Sequence, residues 1–103
     1  MRTRKKSYED YGLTKDEIKD IKNFCMNADA EQKEDIIKVA LSELSPYIAL
    51  KCLESLIKDK SYEDLCKYEY IFLGKADFYG YRRKGMEAIK RWMILNNKWN
   101  YKN

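Results

Sequence analysis

The stretch that decides the fold runs over residues 61–84 and reads SYEDLCKYEYIFLGKADFYGYRRK. Ser61 and Asp64 stand three residues apart, the spacing of a capping box in which each side chain bonds a backbone N–H at a helix start. The apolar run Tyr70–Leu73 follows, closed by Gly74, and apolar residues then recur at helical spacing. The stretch therefore predicts a short helix, an apolar turn and a second helix that is rich in cations.

Three more helices are predicted upstream of this stretch, over about 15–26, 30–43 and 46–58. The first two begin with capping boxes, Thr14 with Glu17 and Asp29 with Gln32. Ser45-Pro46 opens the third, because Pro is tolerated at the first helical position and Ser is a good N-cap residue. The residues expected in the core of these helices are Ile18, Ile21, Cys25, Ile36, Ile37, Ala40, Leu41, Leu44, Ala49, Cys52, Leu53, Leu56 and Ile57.

The C-terminal part has its own apolar pattern. The short helix, over about 62–68, uses Tyr62, Leu65 and Cys66 as its apolar side. The long helix, over about 75–96, carries Gly80 and Gly85 inside it, and each Gly costs about 1 kcal/mol relative to Ala. The apolar residues that would bury this helix are Phe78, Tyr79, Met86, Ile89, Trp92 and Met93.

The predicted fold class is mainly α, a small helical bundle with a C-terminal helix-turn-helix. The run Tyr70–Leu73 reads as either a short strand or a buried turn, and this leaves open a winged variant with a short β-hairpin near residues 68–80. One domain is expected over residues 1–103. Its parts are a basic N-terminal arm (1–13), a helical body (14–60), the helix-turn-helix unit (61–96) and a tail (97–103).

Charge is distributed unevenly along the 103 residues, although the net charge is only +4. Residues 1–6 carry four basic and no acidic side chains, residues 7–74 carry nine basic and fifteen acidic, and residues 75–103 carry eight basic and two acidic. Basic ends on an acidic body predict a surface for polyanions such as nucleic acid or an anionic membrane, against the alternative of a merely solvated surface.

Several function classes find no support in the composition. The chain has no His, which removes Ser-His and Cys-His dyads and imidazole metal ligands, and Cys25, Cys52 and Cys66 have no zinc-site spacing. No enzyme activity, cofactor, metal or small-molecule substrate is therefore expected. No apolar run is long enough to span a membrane and no signal peptide is evident, so the expected location is the cytoplasm, with the three thiols reduced.

Double-stranded DNA is the expected partner of the helix-turn-helix unit. A recognition helix needs an apolar inner face and an outer face of donors that reach base edges and phosphates. The outer candidates are Lys75, Tyr79, Tyr81, Arg82, Arg83 and Lys84. Phosphate contacts are expected from Lys90, Arg91 and the arm residues Arg2, Arg4, Lys5 and Lys6. On this interpretation Arg82→Ala or Arg83→Ala weakens DNA binding and leaves helicity unchanged.

Two segments, SYEDL at 61–65 and DFYGYRRK at 77–84, resemble small proteins of phages and other mobile elements of low-GC bacteria. The C-terminal half of those proteins is similar to sigma-factor region four and to phage late-gene transcriptional regulators. The likeness covers about residues 61–91. It implies a DNA-binding helix-turn-helix with Arg82, Arg83 and Lys84 on the recognition helix.

The expected function is that of a sequence-specific DNA-binding protein of a phage or plasmid, acting as a transcription regulator. Two alternatives remain open: a relaxosome accessory protein that binds a plasmid transfer origin in conjugation, and a phage-encoded inhibitor that acts through the acidic segment 7–74. A homodimer is also open, with helices one to three offering an apolar face. Trp99 and Tyr101, in the polar tail, are candidates for a partner surface.

Overall fold

The computed structural model describes residues 13–96. Within that range the chain is mainly helical and contains no strand, which confirms the predicted helical bundle. Its five helices are α1 (Lys15–Asn27), α2 (Ala30–Glu43), α3 (Pro46–Lys58), α4 (Tyr62–Cys66) and α5 (Lys75–Leu95).

Local sequence signals place the helix starts. The three predicted capping boxes form at Thr14, Asp29 and Ser61, each with both hydrogen bonds present. The prediction for Ser45 is half right: Pro46 opens α3, but the Ser45 side chain makes no capping hydrogen bond. A Pro at this position needs no N–H partner, so the helix begins there without a side-chain cap.

The longest helix, α5, lies at the centre of the bundle and packs against all four of the other helices. Phe78, Met86 and Ile89 on α5 are fully buried, as are Ile21 on α1 and Ile36 on α2. Burying apolar side chains of this size stabilises a fold by about 1.5–3 kcal/mol each relative to leaving them exposed. The helix that carries the cations is thus also the helix around which the core forms.

Neither glycine predicted to weaken α5 interrupts it. Gly80 and Gly85 both lie inside the continuous helix and both are buried. At Gly85 an added Cβ would lie 3.6 Å from Leu44 Cδ1, which is ordinary van der Waals distance. Gly85 therefore lies where the segment after α2 packs against α5.

The winged variant that the sequence left open, with a β-hairpin near residues 68–80, is not found in the described residues. Residues 75–80 form the first turns of α5, and residues 67–74 form an irregular connection after a helix that ends at Cys66. Side chains bond the backbone of this connection: Phe72 N–H donates to the Tyr47 hydroxyl at 2.9 Å, and the Tyr62 hydroxyl donates to the Leu73 carbonyl oxygen. These bonds come from other helices, so the local apolar run could not reveal them.

Two residues expected in the core are on the surface. Leu41 is 43% exposed, at the edge of the buried stripe formed by its α2 neighbours Ile36 and Ala40. The Cys66 thiol is also exposed, whereas Cys25 and Cys52 are buried as expected. Burial raises the pKa of both buried thiols to about 12, so they remain protonated at neutral pH.

Candidate nucleic-acid interface

The candidate interface consists of α4, the 67–74 connection and the N-terminal half of α5. Tyr62, the first residue of α4, joins the two helices: its ring lies 5.4 Å from the Phe78 ring, and its backbone N–H donates to the Tyr79 hydroxyl at 3.0 Å. Its own hydroxyl bonds the end of the connection at Leu73. These three contacts fix α4 against the start of α5.

The first turn of α5 is open to solvent. Lys75 and Ala76 are exposed, and a Cβ added to the N-cap residue Gly74 would meet nothing within 4 Å. The Lys75 ammonium group pairs with Glu63 on α4, and both side chains are more than half exposed. Their hydrogen bond raises the pKa of Lys75 and lowers the pKa of Glu63.

Arg82 is not on the outer face, contrary to its predicted position. It is only 8% exposed, its Nη1 donates to Ser55 Oγ at 3.0 Å, and its guanidinium carbon lies 4.8 Å from the centre of the Tyr79 ring. Ser55 Oγ in turn donates to the Lys60 carbonyl oxygen, in the turn between α3 and α4. Arg82 therefore joins α5 to the end of α3, because its position on the helix faces the core.

The other residues in the N-terminal half of α5 that were predicted to contact DNA bases or phosphates are intermediate in exposure. Tyr79, Tyr81, Arg83 and Lys84 are all half-buried. The hydroxyl of Tyr79 already accepts the N–H of Tyr62. Lys75, Tyr79 and Arg83 follow one another at four-residue spacing, so they share one face of α5.

The two candidates for phosphate contact on the second half of α5 form ion pairs within the bundle. Lys90 Nζ lies 2.9 Å from a Glu17 carboxylate oxygen, with both side chains mostly buried. Burial alone raises the pKa of Glu17, but the hydrogen bonds from Lys90 and from the Thr14 backbone outweigh it, and the net pKa is below the usual value. Arg91 is 55% exposed and bonds both Glu43 and Glu87.

The charge segregation seen in the sequence is largely neutralised by the fold. Of the 21 basic and 17 acidic side chains, fifteen of each lie within residues 13–96. Acids from three other helices, Glu17, Glu43 and Glu63, pair with cations of α5. The arm candidates Arg2, Arg4, Lys5 and Lys6 and the tail residues Trp99 and Tyr101 lie outside the described residues.

Two features of the candidate interface were missed by sequence reasoning. Lys67, at the end of α4, is 68% exposed and pairs only loosely with Asp64, at 3.4 Å. Tyr68, Tyr70 and Phe72 are the most exposed aromatic side chains of the described residues. The sequence signal for the aromatic residues was present as an apolar run, but such a run is as compatible with burial as with exposure.

Over the described residues, no group of three or more His, Cys, Asp or Glu side chains is arranged to hold a metal ion. In the same part of the chain, none of the helices has the length and apolarity needed to cross a membrane. No family model matches the sequence, and neither a curated protein nor a solved structure matches it.

Proposed function

We propose that the chain binds double-stranded DNA through α4 and the N-terminal half of α5, and that it acts as a transcription regulator of a phage or plasmid. The supporting observation is the combination of a fixed α4 with an open first turn of α5. A helix-turn-helix reads DNA with the N-terminal residues of its second helix in the major groove, while the first helix crosses the backbone. In this chain the contacts of Tyr62 hold α4 against α5, and the exposed residues Lys75 and Ala76 leave the first turn of α5 accessible.

The proposed footprint does not coincide with the basic run at 82–84. Lys75 and Lys67 are the best phosphate contacts, because exposed ion pairs contribute little to stability and exchange readily for a phosphate oxygen. Arg83 shares a helix face with Lys75 and is the best candidate for a base contact, since Arg pairs bidentately with guanine. Arg82 is buried and lies outside the footprint, where its bond to Ser55 holds α5 against α3.

The open N-cap adds a second contribution to the proposed contact. Gly74 has no side chain to cap α5, and no atom beyond its two chain neighbours lies within 4 Å of the position that a Cβ would take there. Backbone N–H groups at the first turn of a helix attract anions, and the helix dipole favours a phosphate at the same place. A phosphate approaching Gly74 would also meet the Lys75 ammonium group.

The experiment begins with selection of bound duplexes from a random pool by the full chain, followed by anisotropy titrations at several salt concentrations. Lys75→Ala is expected to weaken binding and to reduce the slope of log affinity against log salt by ~0.9, the effect of one lost phosphate contact. Lys58→Ala is the matched control, because Lys58 on α3 is 63% exposed and also ion-paired, in this case with Glu54.

Equal losses for Lys75→Ala and Lys58→Ala would contradict the footprint, since the effect would then be one of net charge. Failure of the wild-type chain to bind any duplex at low salt would contradict DNA binding itself. A recovered motif with two half-sites would show that two copies bind together, and its genomic context would separate a regulatory site from a transfer origin.

One feature favours the alternative of an inhibitor that acts through its acidic segment. A groove of about 410 Å³ between α2 and the end of α5 is lined by Asp29, Glu31, Asp35 and Trp92, among others. Carboxylates beside an aromatic ring suit a cationic side chain of a partner protein. This alternative would be supported if the chain bound no duplex and if the Glu31→Gln variant no longer inhibited a partner protein that the wild-type chain inhibits.

A further inference from the structure

A continuous aromatic surface covers the start of α3 and the connection before α5. This aromatic patch consists of Tyr47, Leu50, Tyr68, Tyr70 and Phe72. The Tyr70 and Phe72 rings meet edge to face at 4.8 Å, and the Phe72 ring meets the Tyr47 ring at 6.0 Å. Tyr68 lines the same surface cavity as Tyr70, and Leu50 follows Tyr47 by three residues on the exposed face of α3.

The exposed apolar area of the aromatic patch is large for so small a protein. Tyr68 is 83% exposed, Tyr70 75%, Phe72 74% and Leu50 53%. With about 150–250 Å² for each fully exposed aromatic side chain, the patch amounts to roughly 600 Å². That is at the upper end of the largest patch on a typical monomer, about 300–600 Å². It also approaches the area of about 800 Å² that each partner buries in a standard stable interface.

The aromatic patch is held in place by the rest of the bundle. Ile71, between Tyr70 and Phe72, is 4% exposed and anchors the connection in the core. The Tyr47 hydroxyl accepts the Phe72 N–H, and the Tyr62 hydroxyl bonds Leu73 at the end of the connection. A partner would therefore meet a preformed surface, which reduces the conformational entropy lost on binding.

The charges around the aromatic patch are balanced. Lys51, whose Nζ lies 5.8 Å from the Tyr47 ring centre, pairs with Glu69 and lies 3.6 Å from Glu54. Lys67 pairs with Asp64 and Lys58 pairs with Glu54, so three lysines stand against three carboxylates. A polyanion would need cations in excess at this surface, and a basic partner would need acids in excess, and the rim offers neither. A neutral rim around aromatic rings fits a surface with the same properties, and a two-fold contact presents the same patch twice.

We propose that two copies of this chain form a two-fold dimer in which the aromatic patch of one copy packs against the aromatic patch of the other. Aromatic residues are enriched in the core of protein interfaces, and rings that are rigid and already packed against each other contribute most there. The contact would also join the two α4–α5 units through their connecting segments. The dimer itself does not rest on DNA binding.

The experiment is sedimentation equilibrium of the full chain without DNA, over concentrations from nanomolar to several hundred micromolar. Wild-type protein is expected to dimerise. The double variant Tyr70→Ser with Phe72→Ser is expected to raise the dimer dissociation constant about 100-fold or more, because two central aromatic anchors are lost. Circular dichroism checks that this variant is folded, which is expected because both side chains are about three-quarters exposed.

The matched control is the double variant Ile94→Ser with Leu95→Ser, which removes exposed apolar surface from the other end of α5. It is expected to dimerise as the wild type does, since the two ends of the 21-residue helix are roughly 30 Å apart and the connection that carries Tyr70 and Phe72 joins the other end. A wild-type chain that is monomeric at every concentration would overturn the proposal. So would a patch variant that dimerises as tightly as the wild type, or a control variant that alone loses the dimer.

Cys66 gives an independent measurement of the same geometry. It is the exposed cysteine of the three and lines the cavity next to Tyr68 and Tyr70. A spin label on Cys66 is expected to give one defined distance between copies in wild type and none in the patch variant; a broad or absent distance in a wild-type dimer would overturn the proposed contact. A chain that dimerises but binds no DNA would support the proposed dimer and refute the proposed function. A chain that binds DNA but stays monomeric would refute the proposed dimer and support the proposed function.

Discussion

The first turn of α5 and the middle of α5 carry the same kind of side chain in opposite surroundings. At the first turn, Lys75 is 62% exposed and its ion pair with Glu63 lies in solvent. Seven residues later, Arg82 is buried, bonded to Ser55 and stacked near Tyr79. In the same helix, Lys75 is thus a surface group, whereas Arg82 holds α5 against α3.

The different surroundings of Lys75 and Arg82 show that a basic run on a helix in the core is not necessarily a surface feature. Successive residues on a helix point in directions about 100° apart, so a run of three cations cannot share one face. With other helices packed on several sides of α5, at least one member of the run at 82–84 has to face the interior. A long side chain such as Arg can do this because its stem packs while its charge bonds a polar partner.

The largest expected effect in this comparison is on Arg82. Arg82→Ala removes a charge-assisted hydrogen bond and the packing of a buried side chain, so we expect it to lower the free energy of unfolding by about 3 kcal/mol. Urea denaturation followed by circular dichroism measures the change. Arg82→Met keeps most of the volume and should lose less.

If Arg82→Ala left stability unchanged and only weakened DNA binding, the structural role of Arg82 would be refuted. This result would restore the sequence-based expectation that the side chain faces outward.

An intermediate effect is expected at the ion pair between Lys90 and Glu17. Lys90→Met should lower stability by about 1 kcal/mol at neutral pH, because this pair is more buried than an ordinary surface pair. The folded-state pKa of Glu17 is below its usual value, so its contribution is complete above the unfolded-state pKa of about 4.3 and is lost as pH falls through the lower folded-state pKa.

Glu17→Gln tests that pH dependence without breaking the cap, since Gln also fits the third position of a capping box. Its stability should be less pH-dependent than that of wild type in acid. Identical acid profiles for the two proteins would mean that Glu17 does not contribute to the acid sensitivity of the fold.

The smallest expected effect on stability is at Lys75. The ion pair that Lys75 forms with Glu63 is open to solvent and screened by salt, so the denaturation midpoint of Lys75→Ala should equal that of wild type within error. The same variant is expected to bind DNA more weakly. A clear destabilisation would show that the first turn of α5 is structural, as its middle is.

Most of the secondary structure could be predicted from local residues. The bounds predicted for α2 and α3 match those found, and the three capping boxes mark helix starts because both partners lie within four residues of each other. The connection at 67–74 could not be predicted in this way. Its backbone bonds go to Tyr47 and Tyr62, which belong to other helices, so the local sequence could not decide between a turn and a hairpin.

The candidate site was predicted only in outline. The order of a short capped helix, a connection and a cationic helix is set by residues near one another in sequence, and it was found as expected. The exposure of Arg82 and Cys66 was not predicted correctly, because periodicity shows that a helix has two faces without showing which other helices cover them.

The sequence by itself determined where the helices of this protein begin, which apolar stripes they carry and that α5 holds most of the cations of its C-terminal part. The tertiary structure alone decided which of those cations meet solvent and which pair with acids of α1, α2 and α4. It also decided that Tyr70 and Phe72 of the apolar run before Gly74 are exposed while Ile71 between them is buried. The physical reason is the distance along the chain over which each interaction acts. Caps and helical periodicity act over a few residues, whereas exposure and ion pairing depend on elements that lie far apart in the chain.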